Sequence, residues 1–158
     1  MRPSRNDMLM EVAKVVATRG TCSRLKVGAI FARDGRIIGA GYNGAPAKMP
    51  HCDHSCSCRQ LQYGSPAEHG DFCRSVMPCS TAEHAERNGI AFAARCGVAL
   101  ENCELYVTHA PCLSCAHSIV NAGIIAVYYE LPYRLVEGVN YLNKAGIKTT
   151  QMITIDIP

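Results

Sequence analysis

The stretch ELYVTHAPCLSCAHSIVNAGIIAVYY, residues Glu104–Tyr129, decides the fold. Its opening, Glu104–Thr108, is rich in β-branched and aromatic side chains and reads as a short strand. Cys112–Ala122 follows at helical spacing and stops at Gly123, a usual helix terminator. Ile124–Tyr129 is then a nearly continuous apolar run, the mark of a strand buried on both faces. Strand, helix and strand in that order form a crossover whose strands lie parallel and whose hand is right.

The same reading extends outward in both directions. Leu135–Ala145 is a helix stopped by Gly146, and Thr149–Ile155 a last strand that continues the parallel set. Upstream, a helix is expected from Thr81 to Cys96, carrying Ala82, Ala85, Gly89, Ala91 and Ala93, small residues that let it lie close to a sheet. Val27–Ala32 and Arg36–Tyr42 read as strands joined at Asp34-Gly35, a strong hairpin signal. Met8, Leu9, Val12, Val15 and Val16 recur at helical spacing, which predicts a helix over Arg5–Arg19 with Ser4 as its N-cap. Between Asn43 and Ser80 the pattern dissolves into Gly, Pro, Cys, His and charge, a length of loop that is usually functional. The expected order is α-β-β-α-β-α-β-α-β. That order predicts a three-layer α/β/α sandwich around a mixed five-stranded sheet, its third to fifth strands parallel. One domain is expected over residues 1–158, with residues 43–80 as a Cys/His-rich loop insertion and no repeat or linker.

At 158 residues, with 48% hydrophobic and 18% charged residues, the chain has the composition of a soluble globular domain. Its net charge of +3 is too small and too evenly spread to demand a nucleic-acid partner. No apolar run approaches the roughly 18 residues of a membrane span. Met1–Asp7 lacks the apolar core of a secretory signal. Ten cysteines suit either a secreted disulfide framework or a reduced, metal-binding chain. Periodic helices and strands, and cysteine pairs spaced for metal, favour the second. The expected location is therefore the cytoplasm, that of a host if the gene is viral.

Two short cassettes carry the chemistry, His84-Ala85-Glu86 and Pro111-Cys112-Leu113-Ser114-Cys115. One imidazole and two thiolates suit a tetrahedral Zn²⁺ and leave a fourth position for water. Each cassette sits where the chain enters a helix. There the unpaired N–H groups and the positive dipole end favour thiolate over thiol, and Pro111 fits a helix start because its missing donor is not needed. Glu86 is too close to His84 to serve as a spare ligand but well placed to move protons. The H-x-E…P-C-x-x-C pattern is similar to that of zinc deaminases, in which the metal activates water and the glutamate is general acid and base. A structural zinc with a coincidental glutamate is the competing account, and a lone Cys-x-x-Cys would not decide between them.

The match runs beyond the zinc residues. Cys22–Ala29, the Gly39-Ala40-Gly41-Tyr42-Asn43-Gly44 loop, His84–Ile90 and Tyr106–Cys115 together resemble the deoxycytidylate (dCMP) deaminase family within the cytidine deaminase-like fold, over about residues 8–145. The resemblance implies hydrolysis of dCMP to dUMP and ammonia, feeding dTMP synthesis. It also implies that Asn43 bonds the deoxyribose hydroxyl, and that Ser23, Arg24 and Lys26 hold the 5′-phosphate. Ala85 N–H and the Ala110 carbonyl would read the pyrimidine edge, and Tyr133 would lie near the substrate. Read without the resemblance, Asn43 is also a turn residue, Arg24 and Lys26 are solvated cations, and Tyr133 is a packed aromatic. Cys96 and Cys103 read as packing residues, and His109 and His117 belong to no motif.

Relatives of this kind form homo-oligomers, hexamers or dimers, switched by dCTP and dTTP with Mg²⁺. That implies effector contacts near Gly41, Tyr42 and Gly44. Some carry a structural zinc, which implies Cys22, Cys52 and Cys79 as ligands here, with Cys56 as fourth and Cys58 or Cys73 as alternatives. His51, His54 and His69 add to the ligands of that loop; a disulfide pair is the other account. Rival functions are a deaminase of a free (deoxy)cytidine nucleoside or of a base in nucleic acid, and a non-catalytic zinc or nucleotide sensor.

Overall fold

The computed structural model describes residues 2–22, 24–51, 79, 81–133 and 135–153. Along the chain these form α1 (Arg5–Ala17), β1 (Gly28–Arg33), β2 (Arg36–Tyr42), α2 (Ala85–Arg95) and β3 (Glu104–His109). There follow α3 (Leu113–Asn121), β4 (Ala126–Leu131), α4 (Glu137–Lys144) and β5 (Lys148–Gln151). The strands make one sheet in the order β2-β1-β3-β4-β5. β1 is antiparallel to both β2 and β3, while β3, β4 and β5 run parallel.

Strand periodicity decides what each face meets, because successive side chains point to opposite sides. Ala29 and Phe31 of β1, with Leu105 and Val107 of β3, pack with Ala85, Ala93, Ala116, Ile119 and Leu142 from α2, α3 and α4. Ile30, Ala32 and Tyr106 face the other way, against Leu9, Met10 and Ala13 of α1. Helices therefore cover both faces, as expected, but among the described residues three lie on one side and one on the other. Two successive right-handed crossovers that step in one direction along a sheet place both their helices on the same face.

The ends of the elements follow local hydrogen bonding. Ser4 caps α1 in a full capping box: it accepts from Asp7 N–H at 3.1 Å, and its own N–H donates to Asp7 Oδ2 at 3.2 Å. The β1–β2 hairpin turns at Asp34 (φ 52°) and Gly35 (φ 71°), the signs a two-residue primed turn requires. α2 starts at Ala85, four residues later than the sequence predicts. Glu83 is instead paired with Gly44, N–H to O at 2.8 Å and 3.1 Å in the two directions. β4 likewise begins at Ala126 rather than Ile124. The N–H groups of Gly123 and Ile124 close the end of α3 on the carbonyls of Val120 and Ile119, and Ile125 N–H goes to Cys103 O. Cys103 is fully buried and packs as expected, whereas Cys96 is exposed at the C-cap of α2 and is no packing residue. Among the described residues no helix is long and apolar enough to cross a membrane.

Candidate functional site

β3 runs straight into the second cassette, and α2 begins on the first. His84 is the N-cap of α2 and Cys112 the N-cap of α3, with both backbones extended. Cys115 lies in the first turn of α3 and is fully buried. The shared sheet face brings these two helix starts together. His84 Nδ1 is 3.5 Å from Cys112 Sγ and 3.4 Å from Cys115 Sγ. All three ligand atoms lie within 4.8 Å of one another. With Zn–S and Zn–N bonds of about 2.3 and 2.05 Å, a tetrahedron puts N and S about 3.6 Å apart. The donor set and its spacing fit zinc, and three ligands leave one vertex open.

The electrostatics agree with a charged site built from short-range contacts. Hydrogen bonding with the Cys115 thiol and the His84 ring holds Cys112 well below the ordinary thiol range, against the opposing effect of burial. The Cys112 sulfur and burial push Cys115 up. Hydrogen bonding to Cys112 raises the His84 ring. Glu86, 4% exposed in the first turn of α2, has its carboxyl raised by burial. Such a carboxyl is suited to holding and returning a proton.

Two backbones close in on these starts. A methyl at Gly41 of β2 would sit 2.2 Å from Ala85 O and 2.6 Å from Gly89 N, so α2 rests directly on that glycine. A methyl at Gly138 of α4 would sit 2.0 Å from Pro111 O, so α4 presses on the entrance to the Cys-x-x-Cys turn.

The other expected residues divide. Ala85 is the first residue of α2, where N–H groups have no partner within the helix. Ala110 is buried and its N–H donates to Leu131 O at 2.8 Å. Asn43 is 7% exposed, and both ends of its amide are engaged: Val27 N–H donates to Oδ1 at 2.8 Å, and Nδ2 donates to Leu25 O at 2.6 Å. Arg24 is half-buried and Lys26 exposed in the segment that Asn43 holds, while Tyr133 is half-buried beyond β4. Tyr42 is half-buried, its carbonyl accepting from Asn88 Nδ2 at 2.9 Å, and Gly44 is taken up by the pairing with Glu83. Cys22 is buried and Cys79 half-buried, with Ala82 N–H directed at Cys79 Sγ. Ser23, Cys52, His54, Cys56, Cys58, His69 and Cys73 lie outside the described residues. Among the described residues, one cluster of three or more metal-ligating side chains comes together, that of His84, Cys112 and Cys115.

Sequence reasoning passed over Glu83, Arg87 and Ser114, which link the two cassettes. The Glu83–Arg87 spacing of four on a helix start was the available signal.

Comparisons with known proteins point the same way. The family profile described as "Cytidine and deoxycytidylate deaminase zinc-binding region" matches residues 3–131. The chain is 35% identical over 155 residues to ComE operon protein 2 of Bacillus subtilis (strain 168), covering 98% of this chain and 74% of that protein. It is 35% identical over 128 residues to the deoxycytidylate deaminase of Mycobacterium phage D29, covering 81% and 95%. The crystal structure of dCMP deaminase from the cyanophage S-TIM5 in complex with dCMP and dUMP is similar at TM-score 0.77. That likeness has 28% identity and covers 96% of this chain and 99% of the other. A zinc-ready triad at paired helix starts and a profile match across most of the length agree: this chain belongs to the cytidine and deoxycytidylate deaminase zinc-binding family.

Proposed function

We propose that the protein is a zinc-dependent hydrolase that converts dCMP to dUMP and releases ammonia. The observation that carries this reading is the convergence of His84, Cys112 and Cys115 beside the buried carboxyl of Glu86. A zinc ion held by those three side chains supplies the Lewis acidity that makes water nucleophilic near neutral pH. Glu86 takes the proton of that water and passes it to the pyrimidine ring nitrogen, which prepares the amino-bearing carbon for attack. It then takes the hydroxyl proton of the adduct at that carbon and delivers it to the amino group, which leaves as ammonia as the carbonyl forms, so the balance is dCMP plus water to dUMP plus ammonia. The N–H of Ala85 and the carbonyl of Ala110 read the pyrimidine edge through backbone atoms. Arg24 and Lys26, with Ser23, hold the 5′-phosphate, for which a guanidinium is well shaped. Asn43 retains one amide proton and one lone pair beyond its two backbone bonds, and these serve the sugar hydroxyl. Tyr133 flanks the substrate.

Finer features belong to the same proposal. The chain works as a homo-oligomer, hexamer or dimer, which is supported by apolar side chains exposed on the three-helix layer: Phe92, Leu113, Val136 and Tyr141. A dCTP or dTTP effector with Mg²⁺ would use Gly41, Tyr42 and Gly44, at the end of β2 and just beyond it. Cys22 and Cys79 belong to a second, structural zinc with Cys52 and with Cys56, or Cys58 or Cys73 in its place, and metal analysis should return two zinc ions per chain. The protein works in a reducing compartment, the cytoplasm of the cell or host, a reading supported by cysteine pairs spaced for metal. The single domain over residues 1–158 is part of this reading.

The deciding test offers zinc-loaded protein dCMP, dCTP, deoxycytidine and cytidine and follows ammonia release. Turnover of dCMP is expected to dominate. Turnover confined to the nucleosides would overturn the assignment.

A further inference from the structure

Three side chains outside the ligand set bind the two cassettes to each other. Arg87 lies in the first turn of α2 and donates from Nε to Glu83 Oε1 at 2.6 Å. Its Nη1 donates to Ser114 Oγ at 2.7 Å. Glu83 immediately precedes His84, and the same Oε1 accepts the His84 backbone N–H at 2.9 Å. Ser114 immediately precedes Cys115, inside the Cys-x-x-Cys turn. Glu83 is anchored in turn by its two backbone hydrogen bonds to Gly44.

The consequence is geometric. His84 and the two cysteines come from helix starts that no covalent link or shared strand joins. Their Nδ1–Sγ separations depend on how α2 and α3 are placed against each other. One guanidinium, with donors fixed in a plane, touches both starts within one residue of a ligand. A lysine carries the charge but cannot hold a carboxylate and a hydroxyl in that fixed fork. The charge on Arg87 also lies where it favours the anionic form of the sulfurs.

We propose that Arg87 is a positioning residue that sets the spacing between the histidine and cysteine cassettes by holding Glu83 and Ser114 on one guanidinium. The proposal rests on the reading of His84, Cys112 and Cys115 as zinc ligands, and it assigns Arg87 no contact with substrate. Partners that orient metal ligands commonly change metal affinity by about 10–100-fold when removed.

The test compares zinc release from the loaded wild type, Arg87→Ala, Arg87→Lys, Ser114→Ala and the Arg87→Ala/Ser114→Ala double variant, using a chromogenic chelator. Thermal melts of the metal-free proteins run alongside. Arg87→Ala is expected to release zinc at least about tenfold faster, and Ser114→Ala severalfold faster. The double variant should be no faster than Arg87→Ala, because the serine acts through the arginine. Arg87→Lys should fail to restore the slow release, while the metal-free melts stay close to wild type. For dCMP, kcat should fall with KM little changed. Wild-type release rates in Arg87→Ala, additive effects in the double variant, or full rescue by lysine would each overturn the proposal. Should wild-type protein fail to turn over dCMP, the release rates still decide the role of Arg87, because they need no substrate.

Discussion

Glu86 and Asn43 show how differently two buried polar side chains can be employed. Glu86 sits among metal-ligand candidates with its carboxyl desolvated, an arrangement that costs stability and suits the proposed proton transfer. Glu86→Gln should keep the zinc content of the wild type and lower kcat by at least about 10²–10⁴-fold, the usual worth of a general acid–base. Ammonia release measured beside metal analysis checks both halves, and an active Gln variant would end the assignment. Asn43 spends half of its amide's hydrogen-bonding capacity on Val27 N–H and Leu25 O, which hold the segment bearing Arg24 and Lys26. Asn43→Ala removes both bonds at a buried position and should lower unfolding free energy by about 1–3 kcal/mol. Denaturant titration measures it. An unchanged midpoint would leave Asn43 a role toward ligand alone.

At the scale of elements, close backbone contact is what aims the helix starts. α2 lies on Gly41 and α4 lies on the carbonyl of Pro111, each where a methyl group has no room. Gly138→Ala must push Pro111 and Cys112 away from α4, so it should speed zinc release and cost about 1–3 kcal/mol, although Gly138 touches no ligand atom. Zinc retention equal to wild type in a folded Gly138→Ala protein would show that α4 does not set the Cys112 position. Element types were legible from periodicity alone, as α1 and its Ser4 cap show. The start of α2 was not, because Glu83 pairs with Gly44, a partner far off in sequence. Ile124 and Ile125 read as strand by their apolarity, yet Ile124 N–H closes α3 on Ile119 O and Ile125 N–H goes to Cys103 O, just before β3.

For the molecule as a whole, the α1 face is tied by a polar cluster under an aromatic stack. Tyr106 and Tyr128 stack at 4.7 Å, and Tyr106 Oη donates to Asn6 Oδ1 at 2.9 Å, with Glu104 Oε2 at 3.2 Å. Burial raises the Tyr106 hydroxyl above its usual pKa of about 10. In the unfolded chain the group ionises first, so its contribution is complete below pH of about 10 and declines as pH rises beyond that. Tyr106→Phe should cost about 1 kcal/mol near pH 7 through the lost hydrogen bonds and show a shallower loss of Tm above pH 10. Parallel Tm-against-pH curves for the two proteins would contradict this.

By itself, the amino-acid order determined the succession of helices and strands, the parallel half of the sheet, and the chemistry of a His-x-Glu and a Cys-x-x-Cys at helix starts. Those are local properties: periodicity, caps and donor type are written over a few consecutive residues. Tertiary structure alone decided that His84 meets Cys112 and Cys115 at 3.4–3.5 Å, and that Arg87 spans from Glu83 to Ser114. It also decided that α2 rests on Gly41 and that Gly44 pairs with Glu83. Contacts between residues dozens of positions apart depend on how closely whole helices approach the sheet. That distance is set by the backbone and side chains between them, and no short window of sequence contains it.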